Sequence, residues 1–391
     1  MTSDPIVSTS RPNILWVVTT QWRGQAWGGG GDPNVRTPHL DALAAAGVNC
    51  RQATTPHPFG PLARAALLTG VLSPENGVRD YFDPLPIGAR TIAHDLADVG
   101  YRTAFWGKWH LAKRDREAAL VGEVHARMIV AAESRGGFQF WEGFESGFLL
   151  NDPWLHGSDL ARPVQFAGYQ SDVLGERAAR WMAGQTGPWF TMVSLESPHP
   201  PYLAPVPPGG QCYRAEDLVL AENVSSDEAV RQRVRSELAG YYAHIEATDR
   251  ALGQLVARME ANTIIVVTSV HGDMHGAHGK FRKGWPFEES VRVPFVVRSA
   301  PGWSAGTTND AAVSLVDLPA MTRAWSRGEA WTCPRAQAPL SMPSVVALAD
   351  QGDRVWSGWR SATRKEIFGA DGQPWLSFDL EADPLERNNL V

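Results

Sequence analysis

The stretch Asn13-Ile-Leu-Trp-Val-Val18 is an uninterrupted apolar run, and the polar sequence Thr19-Thr20-Gln21 follows it directly. A continuously apolar strand is typical of the centre of a parallel sheet, where both faces are covered. Similar runs occupy residues 102–106, 189–195 and 263–269, and each leads into a segment with polar residues. Because the carboxyl ends of parallel strands meet at one edge of a sheet, we expect these polar segments to lie together there.

Helical patterns lie between these strands. They cover residues 39–47 after Thr37-Pro38, residues 63–69, residues 91–99 and a long amphipathic stretch at 227–259. Strands that alternate with helices predict an α/β fold over residues 1–325, with a doubly wound, mainly parallel sheet and helices on both faces. From about residue 326 short strands and turns replace this alternation, which predicts a small antiparallel C-terminal subdomain over residues 326–391.

The composition is that of an ordinary globular protein. The 391 residues are 43% hydrophobic, and the formal net charge of −6 argues against partners such as nucleic acid or an anionic membrane surface. The apolar runs are too short to span a bilayer, and the segment Met1 to Ser10 has no apolar stretch typical of a secretory signal. Three widely spaced cysteines predict neither a disulfide framework nor a zinc knuckle. A cytoplasmic protein is therefore the expectation.

Several short blocks occur along the chain in a fixed order. They are Pro12-Asn-Ile-Leu, Thr37-Pro-His-Leu-Asp-Ala-Leu-Ala, Arg64-Ala-Ala-Leu-Leu-Thr-Gly70, Gly107-Lys-Trp-His-Leu111, Pro198-His-Pro-Pro-Tyr202, Lys283-Gly-Trp-Pro-Phe-Glu-Glu-Ser290 and Phe378-Asp-Leu-Glu-Ala-Asp-Pro-Leu-Glu-Arg-Asn-Asn-Leu390. In this order they resemble the sulfatase and phosphonate monoester hydrolase branch of the alkaline phosphatase superfamily. The resemblance covers nearly the whole chain and implies the alkaline phosphatase-like fold.

The resemblance also implies a mechanism, and the sequence departs from it at the centre. The family uses a Cys or Ser that is oxidised to formylglycine, together with a divalent metal held mainly by Asp residues. Arg64 aligns with the motif Arg, which puts Gly60 at the position of the nucleophile and Leu62 at that of the motif Pro. Thr19-Thr20 and Val270 stand where the family has acidic metal ligands. We therefore predict a protein without formylglycine, metal or other cofactor.

The basic residues of the family's site are retained. The resemblance implies general acid or base roles for His110 and His199. It implies substrate contacts for Arg64, Lys108, Lys283 and His271. The Pro56-His57-Pro58 step adds His57 as a substrate-binding candidate near Gly60, although a rigid loop explains the same residues. With the acids lost and the bases kept, we expect a strongly positive pocket for a small organic anion, either a sulfate or a phosphate ester.

Three functions stay open on this evidence. The first is an enzyme that promotes loss of the anion by elimination or intramolecular displacement, which needs a stabilised leaving group and a base but no enzyme nucleophile. The second is a pseudoenzyme that binds an anionic ligand or a partner. The third is a hydrolase with a rewired site. A homo-oligomer is compatible with all three.

One further pattern offers a metal-binding alternative. His271, His275 and His278 form H-x3-H-x2-H with Asp273 between them. The segment is rich in glycine and loop-like, so this spacing does not put the three rings on one helical face. His271 and His278 belong to the family pattern, so His275 is the one histidine of the three that the resemblance does not account for.

Overall fold

A computed structural model describes residues 11–207, 210 and 212–391 of the chain. The polar segment Met1 to Ser10, on which the expectation about a secretory signal depends, lies outside the described residues. Within the described part, no helix is both long and apolar enough to cross a membrane. The cytoplasmic location stays a prediction.

The main sheet contains the strands that the apolar runs predict. Its strands in chain order are β1 (Asn13–Thr19), β2 (Val48–Cys50), β3 (Arg102–Lys108), β4 (Phe140–Phe144), β5 (Trp154–Gly157), β6 (Val164–Gln165), β7 (Trp189–Ser194), β8 (Thr263–Ser269), β9 (Phe295–Arg298) and β10 (Thr307–Asn309). Across the sheet the order is β10-β2-β9-β8-β1-β7-β3-β4-β5-β6. The centre, from β8 to β4, is parallel, whereas β9 and β5 run antiparallel to the strands beside them.

The central strand β1 shows why its sequence is apolar throughout. Ile14, Trp16 and Val18 point into one hydrophobic core, and Leu15 and Val17 point into a second core on the opposite face. All of its residues are buried. Helices therefore have to cover both faces of the sheet.

The helices divide between the two faces. They are α1 (Pro38–Ala45), α2 (Gly60–Thr69), α3 (Ile92–Asp98), α4 (Glu123–Ala126), α5 (Gln170–Ala183), α6 (Glu228–Val256), α7 (Glu288–Val291) and α8 (Leu318–Ser326). Apolar residues of α2, α3 and α8 belong to the core that contains Trp16, and those of α1, α5 and α6 belong to the core that contains Leu15. The doubly wound α/β fold is confirmed.

A separate antiparallel sheet follows the last helix. Its strands are β11 (Ala338–Met342), β12 (Trp356–Arg360), β13 (Arg364–Gly369) and β14 (Pro374–Asp379), which pair in sequence order. Leu340, Trp356 and Phe378 of this sheet pack into one of the two main cores. The small antiparallel C-terminal unit is confirmed as part of the fold class, and a domain division at residue 325 stays a prediction.

The sequence pattern predicts no element between residues 112 and 188, where β4 to β6 and α5 lie. The reason is visible in β4, whose centre is the fully buried Glu142. Its carboxylate accepts from Arg177 Nη2 of α5 at 2.9 Å. A buried charge that is paired across two elements interrupts the apolar pattern by which a central strand is recognised.

Candidate active site

The segments that follow β1, β3, β7 and β8 surround a cavity of about 250 Å³. Basic side chains line one part of its wall, namely Lys108, His110, His199, His271, Arg282 and Lys283. Apolar and aromatic side chains line another, namely Phe59, Tyr81, Leu120, Val121, Phe148 and Leu348. The structure thus brings five of the seven predicted site residues to one cavity at the carboxyl edge of the sheet.

Lys283 is held by two neutral acceptors. Its Nζ donates to Gln21 Oε1 at 2.8 Å and to His199 Nε2 at 3.2 Å. Burial lowers the pKa of Lys283 to about 7, with Asp273 opposing that change and Lys108 adding to it. This ammonium is therefore held in the wall close to its titration point.

The hydrogen bonds of His199 assign its tautomer. Nδ1 lies 2.8 Å from Pro200 O, which can only accept, so Nδ1 carries the proton and Nε2 accepts from Lys283. The ring stacks on Phe148, with the centroids 4.4 Å apart. Burial and then the charge of Lys283 hold the pKa of His199 well below its usual range. This histidine is a neutral, fixed acceptor.

His271 has its second nitrogen available. Nδ1 lies 2.9 Å from Gly272 O and must donate, which leaves the lone pair on Nε2 of this cavity-lining ring. Burial, followed by the charge of Lys283, lowers the pKa of His271 well below its usual range. His271 therefore presents an unprotonated nitrogen, as a proton acceptor requires.

His110 also carries its proton on Nδ1, but here the protonated nitrogen is the one without a partner among the described residues. Its Nε2 lies 2.9 Å from Arg114 Nη1, a donor, so Nε2 accepts and Nδ1 carries the proton. Among the described residues Nδ1 has no hydrogen-bond partner, and a Cβ at Gly60 would lie 2.9 Å from it. Its backbone has a φ of 59°, a sparsely populated conformation for a residue with a side chain. His110 thus offers an N–H group toward position 60.

The expectation of a strongly positive pocket is wrong, because buried carboxylates lie behind the cavity wall and pair with some of its basic residues. Glu196, which follows β7, is fully buried and pairs with Lys108 Nζ at 2.6 Å. Asp273 accepts from Gln21 and from Tyr202 and lies 3.8 Å from Arg282. Burial lowers the pKa of Lys108 to about 8, and Glu196 opposes that change. Lys108 and Arg282 therefore have internal counter-charges.

Arg64 and His57 do not line the cavity. Arg64 lies behind its wall on α2 and donates to Lys108 O, Ser194 Oγ and Thr20 Oγ1 at 3.2, 2.6 and 2.9 Å. His57 faces β11, where Nδ1 lies 3.2 Å from Ser341 O and Nε2 accepts from the backbone of Ser73. Both groups are buried and committed to protein partners, so the structure gives them supporting positions and no place beside a ligand in this cavity.

Known proteins share both the sequence and the fold. The Sulfatase family model matches residues 12–325. An ulvan-active sulfatase of Formosa agariphila is 36% identical, in an alignment that covers 98% of this chain and 77% of that protein. The chain belongs to the sulfatase family. A choline-sulfatase of Rhizobium meliloti is 26% identical over 98% of this chain and 83% of its own length.

A solved structure supports the fold of this sulfatase-family protein. The phosphonate monoester hydrolase of Agrobacterium radiobacter superposes with a TM-score of 0.73 at 21% identity, over 97% of this chain and 91% of that one. The predicted family and the alkaline phosphatase-like fold are confirmed.

The side chains at the family's metal position do not fit a divalent ion. Thr20 Oγ1 donates to Leu195 O at 2.8 Å and accepts from Arg64, and Val270 is apolar. Gln21 Oε1 is occupied by the Lys283 ammonium. Ca²⁺ and Mg²⁺ require several anionic or carbonyl oxygens, which these residues do not direct to one point. The absence of a bound metal stays a prediction, to be tested by elemental analysis.

The histidine-rich segment of this sulfatase-family protein does not form one cluster in the described residues. His271 lines the cavity, and His275 packs between Tyr202 and Tyr241 with ring centroids 5.1 and 4.3 Å away. His278 stacks on Phe287 at 4.0 Å. The three rings have different neighbours, which disfavours the predicted alternative of a shared metal site.

A second group of potential metal ligands lies near the C-terminal sheet. His278, Glu289 and Glu386 bring ligand atoms within 4.8 Å of one another. Lys365 Nζ lies 2.6 Å from Glu386 Oε1 and 2.8 Å from Glu288 Oε1. The Lys365 ammonium thus supplies the positive charge that a metal ion would otherwise bring to Glu386.

Sequence reasoning missed four residues that hold the site. Glu196 and Gln21 each follow a predicted strand directly, so their position after an apolar run was an available signal. Arg114 and Glu145 lack such a signal, because the Arg114 Nε–Glu145 Oε1 pair at 3.4 Å joins two loops.

Proposed function

We propose that this protein binds a sulfate or phosphate ester in the cavity and promotes departure of the anion without metal or formylglycine. One observation carries the proposal. Within the described residues, the hydrogen bonds leave a free lone pair on His271 Nε2 and a free N–H on His110 Nδ1, and both rings line the same cavity as the Lys283 ammonium. A base, a hydrogen-bond donor and a cation are the groups that elimination or intramolecular displacement requires.

The proposed chemistry balances without a further reactant. His271 Nε2 removes a proton from the carbon next to the one that bears the ester oxygen. The electrons of that C–H bond form a double bond, and the C–O bond breaks with its electron pair on the departing sulfate or phosphate. His110 Nδ1–H and the Lys283 ammonium stabilise the charge on the leaving oxygen. In intramolecular displacement, His271 Nε2 takes the proton from a hydroxyl group of the substrate, and the oxygen of that hydroxyl attacks the carbon that bears the ester oxygen.

The hydroxyl groups of the cavity do not favour an enzyme nucleophile. Thr20 Oγ1 donates to a carbonyl and accepts from Arg64. Burial raises the pKa of Tyr81, which keeps the phenol neutral. Among the described residues that line the cavity there is no Ser, Cys, Asp or Glu. A covalent intermediate therefore lacks a suitable attacking atom.

Two other functions each have an observation in their favour. Glu196 neutralises the charge of Lys108, which leaves less positive charge to stabilise a leaving group. This pairing favours a protein that binds its ligand without turnover. The ulvan-active and choline sulfatases among the relatives favour a hydrolase with a rewired site. Elimination or displacement breaks the C–O bond and hydrolysis at sulfur breaks the S–O bond, whereas a binding protein breaks neither.

Isotope labelling distinguishes them. Alkyl sulfates with and without an acidic hydrogen on the adjacent carbon are incubated with the protein in EDTA and H₂¹⁸O. We expect sulfate without solvent ¹⁸O and an unsaturated or cyclised product, formed by the wild type and lost in His271→Gln. The exposed His39→Gln is the matched control. Solvent ¹⁸O in the sulfate would establish hydrolysis at sulfur instead, and binding without any product would establish a ligand-binding protein.

A further inference from the structure

The cations that line the cavity differ in how they are neutralised. Lys108 pairs with Glu196 at 2.6 Å, and Arg282 pairs with Glu237 at 2.7 Å. Within residues 11–207, 210 and 212–391, Lys283 has no carboxylate oxygen within 4.0 Å of its Nζ. Lys283 is thus the cavity-lining cation that is free to balance the charge of a ligand.

The remaining basic groups add little charge to the cavity surface. His110, His199 and His271 are neutral in the tautomers that their hydrogen bonds fix. Arg64 is charged but lies behind Thr20, and both of its terminal nitrogens donate to protein oxygens. Among the described residues that line the cavity, a bound anion therefore contacts one cation that no carboxylate pairs, Lys283, which is fewer than the number of basic residues indicates.

Glu196 is built into this arrangement. Its side chain is fully buried, its backbone N–H donates to Gln170 Oε1 at 2.8 Å, and Oε1 holds Lys108. Within the described part of the chain, Oε2 has no hydrogen-bond partner. A carboxylate in a low-dielectric environment repels any further negative charge that enters beside Lys108.

We propose that Glu196 is a specificity-determining residue that restricts this cavity to singly charged esters, such as sulfate monoesters and phosphate diesters, and excludes doubly charged phosphate monoesters. The inference rests on the proposed function, in that it requires an anionic ester to bind here. It goes further by assigning the discrimination to a residue that lies behind the cavity wall and acts through Lys108.

The test is calorimetric titration at pH 7.5 in EDTA with phenyl sulfate and phenyl phosphate. The first carries one negative charge and the second nearly two, since the second ionisation of a phosphate monoester lies near pH 6. We expect the wild type to prefer phenyl sulfate by at least about tenfold. Glu196→Gln keeps an acceptor for Lys108 and should lower that ratio at least about tenfold, mainly by tightening phenyl phosphate.

The matched control is Glu142→Gln, which removes a buried, paired carboxylate on β4 outside the cavity. It should leave the ratio unchanged. Equal or tighter binding of phenyl phosphate by the wild type would overturn the inference, and that result needs no variant to be folded. An unchanged ratio in a folded Glu196→Gln protein would overturn it as well. Failure of the wild type to bind either ester would overturn the proposed function itself.

Discussion

Two buried lysines show how differently this molecule treats a positive charge. Lys365 on β13 donates to Glu386 and to Pro286 O at 2.6 and 2.9 Å and forms an ion pair with Glu288 at 2.8 Å. Lys283 is almost as deeply buried, but it donates to an amide oxygen and to an imidazole nitrogen. The first charge is paired with carboxylates, whereas the second has no carboxylate in direct contact among the described residues.

The partners of a buried charge indicate whether it serves stability or binding. A buried cation between two carboxylates joins the C-terminal sheet to helix α7, and its loss leaves acids without a partner. A buried cation among neutral groups contributes little to stability and costs desolvation, which makes it a candidate for ligand binding. Replacing each lysine in turn separates the two cases.

The largest effect is expected for Lys365→Met. Removing the ammonium leaves Glu386 buried without its cation and takes one of the partners of Glu288. The free energy of unfolding should fall by about 3–5 kcal/mol, the usual cost of breaking a buried ion pair from one side. Urea denaturation measures it, with the exposed Lys113→Met as the control. A loss below about 1 kcal/mol would remove the contrast between the two lysines.

Lys283→Met should affect binding instead. Affinity for phenyl sulfate should fall by about 1.5–3 kcal/mol, because a charge-assisted hydrogen bond is lost. The free energy of unfolding of the unliganded protein should stay constant or rise, since a buried charge without a carboxylate partner disappears. Calorimetric titration and urea denaturation of the same variant test both parts. Destabilisation equal to that of Lys365→Met would make Lys283 a structural residue.

Gly60→Ser tests whether the open space at the nucleophile position belongs to the site. A Cβ there would lie 2.9 Å from His110 Nδ1, so the side chain must displace the imidazole. We expect a loss of stability of about 1–3 kcal/mol from overpacking and no gain of aryl sulfate hydrolysis. The double variant with His110→Ala should recover much of that stability in thermal melts. Hydrolysis restored by Gly60→Ser would show that only the nucleophile is missing.

The smallest effect concerns pH. Burial lowers the pKa of Lys283 to about 7, and only the protonated form attracts an anion. Affinity of the wild type for phenyl sulfate should therefore decline as pH rises from 6 to above 8, by at most about tenfold per unit. The decline should be smaller in Lys283→Met, where Lys108, with a pKa of about 8, is left to titrate. Between pH 7 and 10.5 the unfolded chain binds more protons at this lysine than the folded one, so its contribution to stability rises with pH. A flat wild-type titration would exclude Lys283 as the anion contact.

Much of this could be predicted from sequence, for identifiable reasons. Strand β1 is recognisable because both of its faces are buried, and Lys108, His110 and Lys283 stand in ordered blocks typical of one family. Local pattern carries the fold and the approximate content of the site.

The pairing within the site could not be predicted in the same way. Glu196 meets Lys108 across a sequence separation of 88 residues, and His57 turns toward Ser341 across 284. Such contacts depend on how loops from different strands pack, which no local pattern encodes. That is why the sequence predicted a strongly positive pocket and the structure shows one that is nearly balanced.

A crystal structure of the wild-type protein soaked with phenyl sulfate in the presence of EDTA tests the central claim most directly. We expect the sulfate group within about 3.2 Å of Lys283 Nζ and of His110 Nδ1, the usual range of a hydrogen bond, with the phenyl ring against Phe148 and no metal in the site. A sulfate group bound elsewhere, or a covalent adduct or metal ion beside Gly60, would contradict the account.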